Sequence, residues 1–206
     1  MKSRFCVGRA AATLAVAALW LAASASPLPS SAQETVVIKS LAEKKIAQLP
    51  AGLLYWTIEN FPTLAAAQGA EGPSSLAVEA DGRAWLFSLG VQGLSTPGGT
   101  KVAQIGPLPA FSAPSYLLRI NSAVGPAGAK TPIHTHPGIE TFYVVAGQLS
   151  QQTPSGISQV SAGQSMVGHA PDTPMQVSST GADSLDALVM FVVDATRPFS
   201  SPAQLP

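Results

Sequence analysis

One run of twenty residues, Gly128 to Gly147, constrains this chain more than any other stretch. It holds His134 and His136 two residues apart among β-branched neighbours, then Pro137-Gly138, then Glu140 and the strand-forming segment Thr141 to Ala146. On an extended strand, residues i and i+2 point to one face, so both imidazoles lean into the same space. Pro137-Gly138 is turn chemistry, and Glu140 opens the next strand, so its carboxylate meets the imidazoles across a strand pair. Two neutral imidazoles and a carboxylate, with positions left open, suit a borderline divalent ion such as Fe(II), Mn or Zn. The competing reading is two exposed histidines on a solvated strand. The chain's three histidines all lie between positions 134 and 169. That clustering alone would leave the competing reading ahead, but the full spacing puts it behind.

Written as G-x5-H-x-H-x3-E-x6-G, the run fills every position of the first signature motif of the cupin superfamily, which it resembles. The resemblance covers roughly residues 115–195. It implies an all-β fold, a double-stranded β-helix or jelly-roll barrel, and a divalent metal (Fe, Mn, Zn or Cu) held by His134, His136 and Glu140. The second motif of that family, approximately G-x5-P-x-G-x2-H-x3-N, supplies a further histidine ligand, and here the sequence departs from it. Counted from Gly163, the histidine position falls on Pro174, or on Met175 with one extra residue in the turn, and Gln176 stands beside it. His169 comes five or six residues early, in the loop.

Three readings follow, in this order. His134, His136 and Glu140 form a three-ligand site, with Met175 lining the wall and water or substrate completing the shell. Alternatively the turn is displaced and His169 or Gln176 reaches the ion. In the third, the metal is lost and the pocket binds a small molecule by hydrogen bonds. A His/His/Met site for copper is a minor fourth case, since a thioether favours Cu(I). Plain core filler is the commoner role for a methionine such as Met175.

The rest of the chain reads independently as all-β. About ten short strand-forming segments separated by turn signals argue for a sandwich or barrel. Asp81-Gly82 predicts a hairpin between Leu76–Ala80 and Arg83–Leu89. Trp85 and Phe87 alternate with Ala84 and Leu86, and Ala187 to Val193 is apolar throughout, so both segments suit strands buried on two faces. Ser40 to Ala47 reads as the one helix of the mature chain, closed by Pro50. Residues 62–74 read as a loop, and Pro198 to Pro206 as a loose tail. The expected organisation is a signal segment 1–32, an N-terminal β-rich extension 33–114 packed on the barrel, a cupin domain 115–195 and a C-terminal tail 196–206.

Composition limits the function. Formal net charge is zero and the pI about 6.8, so nothing calls for a nucleic-acid or anionic-membrane partner. No serine sits in a nucleophile elbow, and no glycine-rich run has the phosphate-loop pattern. Lys2, Arg4 and Arg9 precede an apolar run from Ala10 to Ala23 that is short for a membrane span, and small residues follow. This predicts a cleaved export signal, ending after Ala25 or, preferably, Ala32, and a periplasmic or secreted protein with no membrane segment after cleavage. The single cysteine, Cys6, lies in that signal, so the mature chain has no thiol chemistry. An exported site meets the ions outside the cytoplasm, where raw affinity favours copper and zinc.

The expected role is a metal-bearing barrel that acts on or binds a small organic molecule, with enzyme activity left open. A binding module without turnover and a structural β-barrel dimer, paired through sheet edges, are the alternatives. Glu140, Phe142 and Val144 share a strand face, giving the pocket an aromatic and aliphatic wall. Arg119, alone in an apolar strand, reads first as an outward solvated group and second as a contact to substrate.

Overall fold

The computed structural model describes residues 34–206. The proposed export signal, 1–32, lies outside the described residues. The chain forms β1 (Val37–Ile46), β2 (Tyr55–Phe61), α1 (Leu64–Gly69), β3 (Ser75–Ala80), β4 (Arg83–Gly90), β5 (Thr100–Ile105) and β6 (Tyr116–Gly125). There follow β7 (His134–Thr135), β8 (Gly138–Ala146), β9 (Gln148–Thr153), β10 (Gly156–Ser161), β11 (Ser165–Val167), β12 (Gln176–Ser179), β13 (Leu185–Asp194) and β14 (Ser201–Pro202).

From β6 onward, successive strands divide between two sheets. One runs β1-β6-β13-β8-β11 and the other β10-β9-β12. The stretch ending in β7 extends the second sheet through bridges from Lys130 to Ser178 and from His134 to Met175. The spatial orders 6-13-8-11 and 7-12-9-10 are those of a jelly roll, two Greek keys folded face to face. Side chains from both sheets fill the interior, among them Phe142, Val144, Leu149, Val160, Val177 and Val189. Gly147 turns the chain from β8 into β9 with φ of 74°, a left-handed conformation that favours glycine.

The strands before β6 make a separate four-stranded sheet, β3-β4-β2-β5. Asp81 and Gly82, both at positive φ, form the tight turn of the β3–β4 hairpin. This sheet packs on the outer face of the first jelly-roll sheet: Trp56, Ile58, Trp85 and Phe87 share one core with Leu118, Ile120, Ile139, Leu188 and Met190. The β6-β13-β8 sheet is therefore covered on both sides, which is why β13 reads as an uninterrupted apolar run and lies at the centre of its sheet.

Three sequence expectations are corrected. Ser40 to Ala47 is strand, not helix: β1 pairs antiparallel with β6 from Val37↔Val124 to Ile46↔Tyr116, with a bulge between Ser40 and Ala42. Glu43 reaches Arg119 while its neighbour Lys44 bonds the Gly72 and Ser75 carbonyls, a period-2 division that a helix cannot make. Pairing with β6 outweighs the modest helix propensity of the Ala/Glu/Lys run. Conversely, the expected loop at 62–74 contains α1, capped at Thr63, whose hydroxyl accepts from the Ala66 amide at 3.1 Å. The expected loose tail is an ordered strap: β14 pairs with β7, and Ala203 N donates to Ile133 O.

At the start of β8, Gly138 lies against β13, where a Cβ would collide with the Val192 carbonyl and the Val193 backbone. Gly138→Ala is expected to cost about 3 kcal/mol of stability in urea unfolding, by forcing these central strands apart. A loss below about 0.5 kcal/mol, within the usual range of neutral surface changes, would mean the two strands are not so tightly apposed.

Candidate functional site

Alternation along the strands points one set of side chains into the jelly-roll interior. His134 and His136 do so from the β7 stretch, Glu140 and Phe142 from β8, Asn121 and Ala123 from β6, and Val189 and Phe191 from β13. They surround a cavity of about 370 Å³ whose outer wall is the strap, through Phe199, Ser200 and Pro202. Ile38, on the edge strand β1, also lines it and is 47% exposed, so the mouth lies between β1 and the strap.

The imidazoles meet edge to face, with ring centroids 4.8 Å apart and planes at 82°. His134 Nδ1 lies 2.8 Å from the Pro132 carbonyl, and His136 Nδ1 lies 2.7 Å from the Phe199 carbonyl. A carbonyl oxygen can only accept, so Nδ1 carries the proton in both rings and donates it. In a neutral ring that leaves each Nε2 with a lone pair. His136 is buried, and that burial, with the charges of His134 and Arg119 adding to it, pushes its pKa down to about 4 against the opposing effect of the Phe199 bond. His136 is therefore neutral at pH 7.

Glu140 is 2% exposed, and burial pushes its carboxyl up to about 8, partly offset by the Gln151 amide, which donates to Oε1. Its Oε2 is 3.9 Å from His136 Nε2. Gly168 holds the Glu140 backbone through N–H···O at 2.9 Å, and a Cβ at that glycine would strike the Glu140 Cγ at 2.8 Å. Gln151 Nε2 also approaches the Met175 sulfur at 3.2 Å, while Gln151 Oε1 is buried without a partner.

The three proposed ligands thus face one cavity. They do not form a ready-made cage: among the described residues, no group of three or more His, Cys, Asp or Glu side chains is placed to hold a metal ion. Glu140 is tied instead to Gln151.

The remaining candidates separate cleanly. Met175 exchanges both backbone hydrogen bonds with His134 and is 2% exposed, so its side chain takes the inward face beside the histidines. Gln176 points the other way and donates to the Thr131 carbonyl. His169 is in the β11–β12 loop and is not among the residues that line the cavity. Phe142 forms wall, whereas Val144 is packed in the interior core.

Arg119 is not an outward solvated group. Its Nη1 pairs with Glu43 at 2.7 Å, its Nε donates to Asn121 Oδ1 at 2.7 Å, and its guanidinium lies 4.1 Å from the Phe199 ring centre. Sequence reasoning passed over Asn121, Gln151 and Phe199. Asn121 had one usable signal: it lies two residues from Arg119 on one strand and so shares its face. Gln151 had none within its polar run, because the partner that gives it meaning is on another strand.

No protein-family model and no curated protein matches the chain. Solved structures resemble parts of it. A DMSP lyase, DddQ from Ruegeria pomeroyi, is 21% identical over 42% of this chain and 43% of its own, with a TM-score of 0.36. A cupin-like protein from Thermotoga maritima is 17% identical over 43% and 65% (TM-score 0.38). A cupin 2 domain-containing protein from Halorhodospira halophila is 18% identical over 42% and 59% (TM-score 0.37). The matches span less than two thirds of each of these proteins, and likeness at this level says nothing of ligand or reaction. The strand order and the complete first motif carry the fold. The barrel is an all-β jelly roll.

The two shifted groups give the barrel a distinctive pH response. Unfolded, Glu140 releases its proton near 4.5; folded, it keeps it to about 8, so its contribution to stability falls as pH rises across that window. Unfolded His136 takes up a proton below 6.5 that the folded protein refuses down to about 4, so its contribution falls as pH drops through that lower window. Between pH 6.5 and 8 the Glu140 slope outweighs what is left of the opposing His136 slope. Metal-free protein is expected to lose on the order of 1 kcal/mol of unfolding free energy across that interval, and Glu140→Gln to lose the Glu140 slope. Equal slopes in the two proteins, measured by urea titration at both pH values, would contradict this placement of Glu140.

Proposed function

We propose that this protein binds a small organic molecule in the barrel cavity, beside a divalent cation held by His134, His136 and Glu140. The observation that carries the reading is the fixed orientation of the two imidazoles. Metal-ligating histidines characteristically donate the other ring N–H to a backbone carbonyl, and both rings here do so, to Pro132 and to Phe199. The donors, two neutral nitrogens and one carboxyl, suit zinc, copper, iron or manganese.

When bound, the ion would supply Lewis acidity to an oxygen of the ligand. The chain's own residues do the rest. Gln151 orients the Glu140 carboxyl, the strap fixes the His136 ring, and Phe142 and Phe191 exclude water from one side of the cavity. We read the first 32 residues as an export signal, so that the site would acquire its ion outside the cytoplasm.

One observation favours a second reading, a metal-free binding pocket. Glu140 is already satisfied by Gln151, and the three side chains are not drawn together as a cage. Elemental analysis by mass spectrometry separates the two. Protein purified without chelators or tag histidines is expected to carry about one equivalent of a transition metal, absent from the His134→Ala/His136→Ala double variant. No stoichiometric metal after loading with each ion in turn would leave the metal-free pocket as the function.

A further inference from the structure

We infer that the cavity accepts a largely apolar molecule bearing a neutral carbonyl-type oxygen in preference to a carboxylate, and that the Asn121 amide nitrogen is the donor that receives this oxygen. The inference deepens the reading of this cavity as a ligand site and rests on it. The lining contains no Lys, Arg or Asp. Of its one carboxyl, on Glu140, Oε1 is taken by Gln151. Arg119, which shares Asn121's strand face, is fully committed to Glu43, Asn121 and the Phe199 ring. An anionic ligand would therefore lose its water without gaining a Lys or Arg partner from the chain.

Asn121 is one of the few polar side chains in this lining, beside the two imidazoles, Glu140, Thr131 and Ser200. It is 1% exposed and faces the cavity. Arg119 Nε can only donate, so the Asn121 oxygen must face it, which settles the orientation of the amide and directs Nδ2 away from Arg119. Among the described residues Nδ2 donates to no side chain or backbone carbonyl, and Asn121 lines the cavity, where a ligand oxygen can accept from it. The rest of the ligand meets Phe142, Phe191 and Phe199, and a volume of about 370 Å³ is within the range of small-molecule sites. Asn121 thus acts as a specificity-determining residue, with Arg119 positioning it from behind.

Two molecules of nearly one shape test this, 2-acetonaphthone (neutral) and 2-naphthoate (anionic), each titrated calorimetrically into the chelator-treated full chain, where only the chain's own groups read the charge. The ketone is expected to bind at least about tenfold more tightly than the carboxylate. Asn121→Asp keeps an acceptor for Arg119 Nε but replaces the inward donor with an oxygen. It is expected to weaken the ketone about tenfold. The carboxylate binding as tightly as the ketone to the unmodified protein, or ketone affinity unchanged in Asn121→Asp, would overturn the inference while leaving the cavity as a ligand site. Binding of neither molecule would overturn the inference together with the cavity reading. The ranking on the unmodified protein stands as a test even if the variant fails to fold.

Discussion

The sheet formed by β6, β13 and β8 has no solvent face, and alternation along its strands sorts each side chain into one of two interiors. On β6, Leu118 and Ile120 go outward to the core shared with Trp56 and Trp85, while Asn121 and Ala123 go inward to the cavity. On β13, Leu188, Met190 and Val192 take the first side, and Val189 and Phe191 the second. A one-residue slip in either strand would exchange the two sets, sending Asn121 into a hydrophobic core. The outer sheet β3-β4-β2-β5 thus matters to a site it never touches: by burying the back of the middle sheet it holds the register that aims the front.

Within the cavity, polar groups are placed by backbone and by one another. The Pro132 and Phe199 carbonyls orient the imidazoles, Gln151 orients Glu140, and Arg119 orients Asn121. The strap contributes twice, since Phe199 supplies both a carbonyl to His136 and a ring packed against His136 at 4.7 Å and Phe191 at 4.9 Å. The strap therefore completes the wall of a site whose His136 lies 63 residues earlier in the chain.

Much of this was legible from local chemistry. The i, i+2 spacing of His134 and His136 and the strand after Pro137-Gly138 were enough to point both imidazoles and Glu140 into one interior. Asp81-Gly82 marked its hairpin, and the unbroken apolar run of β13 marked a central strand. What stayed hidden depends on partners distant in sequence. The segment from Ser40 to Ala47 has helical composition, and only pairing with β6 makes it a strand. The sequence around Phe199 resembles a loose end because its order comes from β7, more than sixty residues away. Gln151 and Asn121 read as ordinary polar residues until Glu140 and Arg119 stand beside them.

Both cavity imidazoles carry a proton on Nδ1, held by a backbone carbonyl, and the buried His136 is a neutral ring whose Nε2 keeps its lone pair. With three histidines in the chain, nitrogen-15 NMR of the imidazoles in metal-free protein at pH 7 tests it directly, and His169→Gln assigns the remaining ring. The structure predicts a protonated Nδ1 in both His134 and His136 and an unprotonated Nε2 in His136. An unprotonated Nδ1 in either ring, or a charged His136, would contradict it and remove the geometric basis for a cation or ligand at this site.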